Sequence, residues 1–312
     1  MEYSVSTASL VINKETAEKN FPLLKKAGFS AIDLNFDSIF FSTGGSAYAK
    51  QGKPWCNSSF FDLSDEEFFD VLKGIKEQAE KNKVKIGQCH APFPSRVLGR
   101  EDGVNEYMQK CIKRSIMAAG YLNCPYIVVH PINAPYGSTL TKKEIFDMNV
   151  EFYSGFIDDL KKYNVVCCLE NMWVQYKNKI FASTCNDFEE VNEYISVLNK
   201  KAEKEIFGFC LDTGHMVLTS GNIRFAIRTL GENLKVLHLH EVDGIKDNHT
   251  MPFTLGAVDW ELIMTELNSS GYKGNLNFEA ANSWMMFPKP LWDDAVIMLG
   301  KICRYFEDTY FN

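Results

Sequence analysis

The sequence has no excess of basic residues and no long apolar run. Its 33 lysines and arginines are outnumbered by 40 aspartates and glutamates, giving a net charge of −7, so a broad cationic surface for nucleic acid or an anionic membrane is not expected. No run of about 18 apolar residues is present to span a bilayer. The N-terminal segment MEYSVSTASLVINKE lacks the basic and apolar regions of a secretory signal. We therefore predict a soluble, cytoplasmic protein.

The nine cysteines form no CxxC pair and no repeating frame. Cys167 and Cys168 lie in the apolar run VVCCL, which is typical of a buried strand. An odd number in such contexts predicts reduced thiols rather than a disulfide framework. No GxGxxG turn follows the first apolar run, so the main signature of a dinucleotide-binding open sheet is missing.

Short apolar runs alternate with longer helical patterns along the chain. Eight runs predict strands, at residues 3–10, 30–36, 84–90, 126–131, 165–171, 207–213, 234–240 and 274–280. Nearly continuous apolar strands separated by helices indicate a parallel sheet covered on both faces. Eight such units close naturally into a (β/α)8 TIM barrel, with an open doubly wound sheet as the alternative. No Pro-, Gly- or Ser-rich linker divides the chain, so residues 1–312 are predicted to form one domain.

Turn and cap residues mark several boundaries between these elements. Segments 64–67 (SDEE) and 141–144 (TKKE) have the pattern of capping boxes at helix starts. Gly28 and Gly271 precede predicted strands and are expected to end helices in the left-handed conformation. The long segment 37–61 after the second strand contains six aromatic residues. It is interpreted as a lid or pocket wall, or else as a loop packed on the outside of the barrel.

Ionisable residues recur near the carboxyl ends of the predicted strands. On strands three to eight these are His90, His130, Glu170, Asp212, His238 and Glu279. In a barrel those strand ends converge on one rim, where active sites lie. Buried ionisable groups are costly unless they are paired or bind a metal. The recurrence on six successive strands therefore indicates a shared site.

Four of these residues have the chemistry of a divalent metal site. Glu170, Asp212, His238 and Glu279 supply three carboxylates and one imidazole. This set suits Mn²⁺, Zn²⁺, Co²⁺ or Mg²⁺ and lacks the thiolates of a structural zinc site. Without a cation the carboxylates would repel and raise one another's pKa. We predict that these four residues hold a divalent metal.

A second group of polar residues follows strands six and seven. His215 comes just after Asp212, and Asp247 and His249 lie in HLHEVDGIKDNH. All six histidines of the chain fall in strand-end or post-strand segments. This bias is the strongest compositional signal in the chain.

Each of these residues also has a purely structural interpretation. His90 and His130 precede prolines closely and could be polar turn residues. Asp212 could cap the helix after its strand, and the Glu170-Asn171 pair could orient a loop. His240 is interpreted as a hydrogen-bonded interior histidine. Glu241 and Asp243 are interpreted as solvated loop charges.

The ordered runs CHAPF, VVHP, LEN, LDTGHM, LHLHEVDGIKDNH, LGAVDW and FEA resemble the xylose-isomerase-like TIM barrel superfamily of sugar-phosphate isomerases and epimerases. The resemblance covers strands three to eight, about two thirds of the chain. It implies the same four metal ligands. It also implies substrate-contacting or ligand-orienting roles for His90, His130 and His215.

The same superfamily includes type IV apurinic endonucleases, which hold three zinc ions. Their additional ligands match His90, His130, His215, Asp247 and His249, so the resemblance implies that these five residues bind substrate or a second metal. The bulky Met172-Trp173 pair after Glu170-Asn171 favours the isomerase version, as does the stretch DGIKDNHTMPFTLGAVDW. That stretch departs from the isomerase pattern at residues 253–255 (FTL), where a Pro-Gly-x-Gly turn is common.

The expected function is metal-dependent isomerisation or epimerisation of a sugar, sugar phosphate or inosose. Glu170 and Glu279 are predicted to be the acid/base pair, with the metal stabilising a developing enediolate. The alternatives are a zinc phosphodiesterase acting on abasic DNA and a catalytically silent sugar-binding barrel. The expected partner is a small carbohydrate, with no nucleic acid or membrane, and a homo-oligomer is compatible with the sequence.

Overall fold

The structure, a computed structural model, describes residues 2–47 and 55–311, which contain ten strands and twelve α-helices. The strands are β1 (Tyr3–Ser6), β2 (Ala31–Asn35), β3 (Lys85–His90), β4 (Tyr126–Val128), β5 (Val166–Glu170), β6 (Trp173–Tyr176), β7 (Lys179–Ala182), β8 (Phe207–Asp212), β9 (Leu234–His238) and β10 (Leu276–Phe278). The helices are α1 (Lys14–Ala27), α2 (Phe36–Ser42), α3 (Asp65–Asn82), α4 (Val104–Tyr121), α5 (Lys142–Ser154), α6 (Ile157–Tyr163), α7 (Phe188–Ala202), α8 (Thr213–Leu218), α9 (Ile223–Leu230), α10 (Trp260–Ser269), α11 (Asn282–Met285) and α12 (Trp292–Phe306).

Eight strands form one parallel sheet in the order β10-β1-β2-β3-β4-β5-β8-β9. An isolated parallel bridge between Leu239 and Phe278 joins the two ends of this order, so the barrel is nearly closed. The predicted TIM barrel is confirmed, and the alternative prediction of an open doubly wound sheet is wrong. The predicted domain extent, residues 1–312, includes Met1, residues 48–54 and Asn312, which lie outside the described residues.

All eight predicted strands are present, each shorter than its apolar run. The predicted capping boxes at segments 64–67 and 141–144 are confirmed at the starts of α3 and α5. Gly28 ends α1 at φ 102°, and Gly271 follows α10 at φ 72°, both in the conformation that glycine adopts without steric cost. Local cap chemistry therefore determines where these helices begin and end.

The barrel interior is apolar in one part and lined by ionisable residues at the carboxyl ends of the strands. A small apolar cluster of Val128, Cys168, Cys210 and Val236 fills one part of it. The cavity with the strand-end residues opens at the carboxyl ends of the strands.

All nine cysteines are free thiols, and only Cys56 among them is exposed. Among the described residues, no helix is both long and apolar enough to cross a bilayer.

The segment after β2 combines both expected roles. It begins as helix α2, and Asp37 and Ser38 in its first turn line the strand-end cavity. Phe40, Phe60 and Phe61 are buried in the main apolar core. The start of the segment is therefore a pocket wall, and much of its aromatic remainder is packing. Residues 48–54 of this segment lie outside the described residues.

Strands β6 and β7 form a separate antiparallel hairpin that the sequence analysis did not predict. Its two-residue turn contains Lys177 at φ 54°, and Trp173 begins the hairpin at the edge of the strand-end cavity. The hairpin follows β5 closely, so it extends the wall of the cavity next to Glu170.

Helix α12 packs against the end of α1 with no room for a side chain at Gly300. A methyl group there would overlap the carbonyl oxygen of Ala27. We expect Gly300→Ala to lower the free energy of unfolding by about 1–3 kcal/mol, because the backbone of α1 must move to relieve the overlap. Urea unfolding of this variant tests the packing. Lys301→Ala, an exposed change in the same helix, should stay within about 0.5 kcal/mol of wild type. Equal stabilities of the two variants would contradict the close packing of α1 and α12.

Candidate metal centre

The strand-end cavity has a volume of about 420 Å³ and is lined by residues from each of the eight barrel strands or from the segment that follows it. Phe93, Met172, Trp173 and Met285 form apolar parts of its wall. No lysine or arginine lines it among the residues that the structure describes. A larger cavity of about 650 Å³ contains five lysines but none of the strand-end ionisable residues, so size alone does not mark the site.

A central cluster joins the ends of four strands. Glu170 and Asp212 are the last residues of β5 and β8, His238 ends β9, and Glu279 directly follows β10. One ligand atom from each lies within 4.8 Å of the ligand atoms of the others. His238 Nδ1 is 3.1 Å from Glu170 Oε1 and 3.3 Å from Glu279 Oε2. The structure therefore brings together the four residues that the sequence predicted as metal ligands.

A second cluster lies on the other side of Glu170. The Nε2 atoms of His90 and His130 are 3.1 Å apart, and His130 Nε2 is 3.1 Å from Glu170 Oε2. His90 Nε2 lies 3.7 Å from the same carboxylate oxygen. Glu170 thus faces the central cluster with one oxygen and the two histidines with the other. His90 and His130 are not simple turn residues.

A third cluster contains His215, His240, Asp247 and His249, again with ligand atoms within 4.8 Å of one another. Asp247 Oδ2 is 3.2 Å from His215 Nε2 and 3.1 Å from His249 Nε2. Trp173 Nε1 donates to the same oxygen at 3.3 Å. This cluster borders the central one, because His240 Nε2 lies 3.0 Å from both carboxylate oxygens of Asp212.

Asp212 caps a helix and also belongs to the central cluster. Its Oδ1 accepts from the backbone N–H of His215 at 2.7 Å, which caps the short helix α8. The same residue supplies a carboxylate to the central cluster. Asn171 holds the backbone of Asp212 through two hydrogen bonds, and its own carbonyl lies 2.8 Å from His215 Nδ1. The end of β8 is therefore held by Asn171 through the backbone of Asp212 and by His215 through the carboxylate of Asp212.

The charges of the clusters depend on one another. Burial alone would raise the pKa of Glu170, but His238 and His130 hold it well below its usual range. Burial would lower the pKa of His215, and the carboxylates of Asp212 and Asp247 instead raise it well above its usual range. Burial would also lower the pKa of His249, but the carboxylate of Asp247 raises it to about 10. The carboxylates thus stay ionised only with positive charge beside them.

These residues fit a bound divalent cation. Glu170 Oε2 and Asp247 Oδ1 are buried, and neither accepts a well-directed hydrogen bond within the described part of the chain, although His130 lies beside the first. A buried, ionised carboxylate oxygen without a donor is costly unless a cation occupies its lone-pair direction. Carboxylate oxygens and imidazole nitrogens are ligands that Zn²⁺ and Mn²⁺ accept.

Several residues at or next to the site were missed by the sequence analysis. Asp37 lines the cavity, and burial raises its pKa to about 7 although His90 acts in the opposite direction. Asp33, Gln88 and Asn277 are fully buried polar residues next to His238 or to one another. They lie within the strand sequences AIDLN, KIGQCH and LNF. A polar residue inside an apolar strand is the sequence pattern that could have identified them.

Three expectations for the segment after β9 had different outcomes. His240 is a buried histidine hydrogen-bonded to Asp212, as expected, but it also belongs to the third cluster. Glu241 is fully buried, so its interpretation as a solvated charge is wrong. Its carboxylate accepts from the backbone of Phe253 and Val258 and from Trp260 Nε1. Asp243 is exposed, as expected.

The fold and site define a TIM barrel with buried carboxylate and imidazole clusters at the carboxyl ends of its strands. The family model described as "Xylose isomerase-like TIM barrel" matches residues 21–302, and the chain belongs to this family. An uncharacterized protein of Sinorhizobium fredii is 25% identical over 267 residues, covering 85% of this chain and 81% of that protein. An uncharacterized protein of Methanocaldococcus jannaschii is 23% identical over 214 residues, covering 68% of this chain and 69% of that protein.

Solved structures share the fold over the full length of the chain. A crystal structure of IOLI protein with a bound zinc atom has a TM-score of 0.70 at 18% identity and covers 100% of both chains. A D-tagatose 3-epimerase-like protein has a TM-score of 0.68 at 18% identity, covering 99% of this chain and 97% of that one. A D-psicose 3-epimerase crystallised with D-fructose has a TM-score of 0.65 at 18% identity, covering 98% and 99%. At these identities the likeness concerns the fold alone.

Proposed function

We propose that this protein catalyses the metal-dependent epimerisation or isomerisation of a small, uncharged sugar. The observation that carries the proposal is the central cluster, where Glu170, Asp212, His238 and Glu279 place their ligand atoms within 4.8 Å of one another. Solved structures with this fold include a D-psicose 3-epimerase and an L-ribulose 3-epimerase, which supports the same reaction class. A divalent cation bound by the four side chains would act as a Lewis acid on the carbonyl of the sugar.

Glu170 and Glu279 are the proposed acid/base pair. Both line the cavity, and their carboxylate oxygens lie 3.1 and 3.3 Å from Nδ1 of His238. One carboxylate removes the proton from the carbon next to the carbonyl, and the C–H electron pair moves to form an enediolate. The other returns a proton to the opposite face of that carbon, which inverts it. Protonation of the neighbouring carbon, with a proton moved between the oxygens, instead gives the isomer.

The cavity supports an uncharged substrate. About 420 Å³ accommodates a monosaccharide, and none of its described lining residues is a lysine or arginine that could pair with a phosphate. Trp173 and Phe93 offer apolar faces, while His90, His215 and Asn35 offer polar atoms to hydroxyl groups. A phosphorylated sugar would bring its charge next to the carboxylates of the lining without a cationic lysine or arginine from the described residues.

Metal removal and a substrate screen test this proposal together. The purified chain is loaded with Zn²⁺ or Mn²⁺ and incubated in D₂O with ketoses, inososes or hydroxypyruvate, and with the phosphates of the same ketoses. We expect exchange of a carbon-bound proton in an unphosphorylated ketose, reduced on the order of 100-fold or more by a chelator. Exchange confined to phosphorylated sugars would contradict the uncharged substrate. A metal-loaded protein that exchanges no proton in any of the tested compounds would instead be a catalytically silent sugar-binding barrel.

A second candidate function, hydrolysis of a phosphodiester, is favoured by the two clusters beside the central one. His90 and His130 meet Glu170, and His215 and His249 meet Asp247, at the short distances given above. Metal counting by elemental analysis distinguishes the two functions. One ion per chain supports the epimerase or isomerase. Three ions, with cleavage of abasic DNA, would replace it with a zinc phosphodiesterase.

A further inference from the structure

A buried polar layer lies next to the central cluster, outside the lining of the cavity. Asp33 on β2, Gln88 on β3, Asn277 on β10 and His238 on β9 are all fully buried. None of the first three lines the cavity, so none is placed to touch a substrate. Polar groups are kept in a barrel interior at a cost, and this cost requires a compensating interaction.

The donors of this layer converge on one carboxylate oxygen. Asp33 Oδ2 accepts from Gln88 Nε2 and from Asn277 Nδ2, each at 3.3 Å. The same oxygen lies 3.4 Å from His238 Nε2, a buried nitrogen that has no well-aligned hydrogen-bond partner among the described residues. In the part of the chain that the structure describes, His238 is the only ion-pair partner of Asp33. The two amides therefore orient Asp33, and Asp33 faces the imidazole.

The two nitrogens of His238 face opposite sides. Nδ1 lies next to Glu170 and Glu279 in the central cluster, and Nε2 lies next to Asp33. A carboxylate accepts hydrogen bonds and cannot donate them, so Asp33 favours a proton on Nε2. The lone pair of Nδ1 is then directed at the place where the carboxylates of the central cluster meet.

We propose that Asp33 is a positioning residue that fixes the Nε2–H tautomer and the ring orientation of His238, so that Nδ1 serves as a metal ligand. This inference rests on the proposed metal centre. A carboxylate bonded to the far nitrogen of a ligating histidine raises the basicity of the ligand and holds its ring. The opposite tautomer would turn an N–H toward the cation and set the lone pair of Nε2 against Asp33.

Zinc binding by the full-length protein tests this role, with Asp33→Asn as the variant. Asparagine keeps the size of the side chain and removes its charge. We expect zinc affinity, measured by competition with a chelator, to fall by about 10–100-fold. Ser4→Ala is the matched control, because Ser4 is equally buried on β1 and belongs to neither the cavity nor any of the three clusters. The control should bind zinc as wild type does.

A spectroscopic measurement separates positioning from a general loss of structure. In the zinc-loaded wild type, the proposed role has Asp33 accept the Nε2 proton of His238, so this proton should appear downfield and exchange slowly with solvent. In Asp33→Asn the same proton should move upfield and exchange faster, while thermal unfolding confirms a folded variant.

The outcomes are distinguishable. Unchanged zinc affinity and an unchanged Nε2 proton in Asp33→Asn would overturn the positioning role alone. A wild-type chain that binds no zinc or manganese would overturn the proposed metal centre, and this inference with it. If Asp33→Asn does not fold, Gln88→Leu provides a second test, because it removes one amide that orients Asp33 and should weaken zinc binding in the same direction by a smaller factor.

Discussion

Replacing Glu170 or Glu279 with glutamine should slow the interconversion of the substrate by about 10²–10⁴-fold. Glutamine keeps the shape of the side chain, but its amide cannot remove a proton from carbon or return one as a carboxyl group does. The rate is measured with the ketose that the exchange screen identifies, and the bound metal is counted in each variant. Glu170 contacts both the central cluster and the His90–His130 pair, so its replacement should also release more metal than that of Glu279.

The pattern of deuterium exchange assigns the two glutamates. If each serves one face of the carbon, each single variant should still exchange a proton from one epimer and not from the other. Glu261→Gln is the control, since Glu261 is exposed in the first turn of α10 and away from the cavity. Wild-type interconversion rates in both the Glu170 and Glu279 variants, at full metal content, would show that other groups move the proton.

Replacing Glu241 with alanine should lower the free energy of unfolding by about 3–5 kcal/mol. The fully buried carboxylate accepts from Phe253 N at 3.1 Å, Val258 N at 3.0 Å and Trp260 Nε1 at 2.8 Å. Truncation leaves these three donors without an acceptor and opens a cavity. The side chain also ties together the connection from β9 to α10, which carries Asp247 and His249.

Urea unfolding with an unchanged m-value measures this effect. Glu241→Gln should cost less than alanine, because its amide oxygen still accepts from some of the donors while its NH₂ group meets the others. Glu193→Ala, on the exposed side of α7, should stay within about 0.5 kcal/mol of wild type. A loss for Glu241→Ala as small as that of Glu193→Ala would mean that this carboxylate does not hold the loop.

The sequence was most informative where local pattern and tertiary role coincide. A parallel barrel strand is buried on both faces, so an ionisable residue inside its apolar run stands out, as Glu170 does in VVCCLE. Most of the cluster residues follow this pattern at or just after a strand end. Asp33 and Gln88 follow it in AIDLN and KIGQCH, but each lies two positions before the end of its strand. A prediction confined to strand ends therefore does not include them.

Other features were hidden because their partners are distant in the chain. Glu241 lies in the polar stretch EVDGIKDNH and has the sequence context of a solvated residue. Its donors come from farther along the chain, at Phe253, Val258 and Trp260. They reach the carboxylate only because the connection from β9 to α10 folds back on itself. The burial of Glu241 is therefore a property of the folded loop rather than of its local sequence.

The hairpin β6–β7 was missed for a different reason. Its sequence, WVQYKNKIFA, has two short runs joined by a turn, but the two strands pair only with each other and lie outside the eight-strand sheet. Eight apolar runs already account for a complete barrel, so the number of strands gives no indication of an additional pair. Only the structure places this hairpin beside the cavity.

The sequence by itself determined the eight strand–helix units, the cap residues that bound several helices, and the acidic and imidazole side chains at the carboxyl ends of the strands. These depend on periodicity and on local hydrogen bonding, which a single chain displays directly. Only the tertiary structure decided how the side chains group: Glu170 shared between two clusters, His240 against Asp212, and Asp33 beside His238. Such groupings depend on barrel closure, strand tilt and register, which set distances of about 3 Å between residues far apart in the chain.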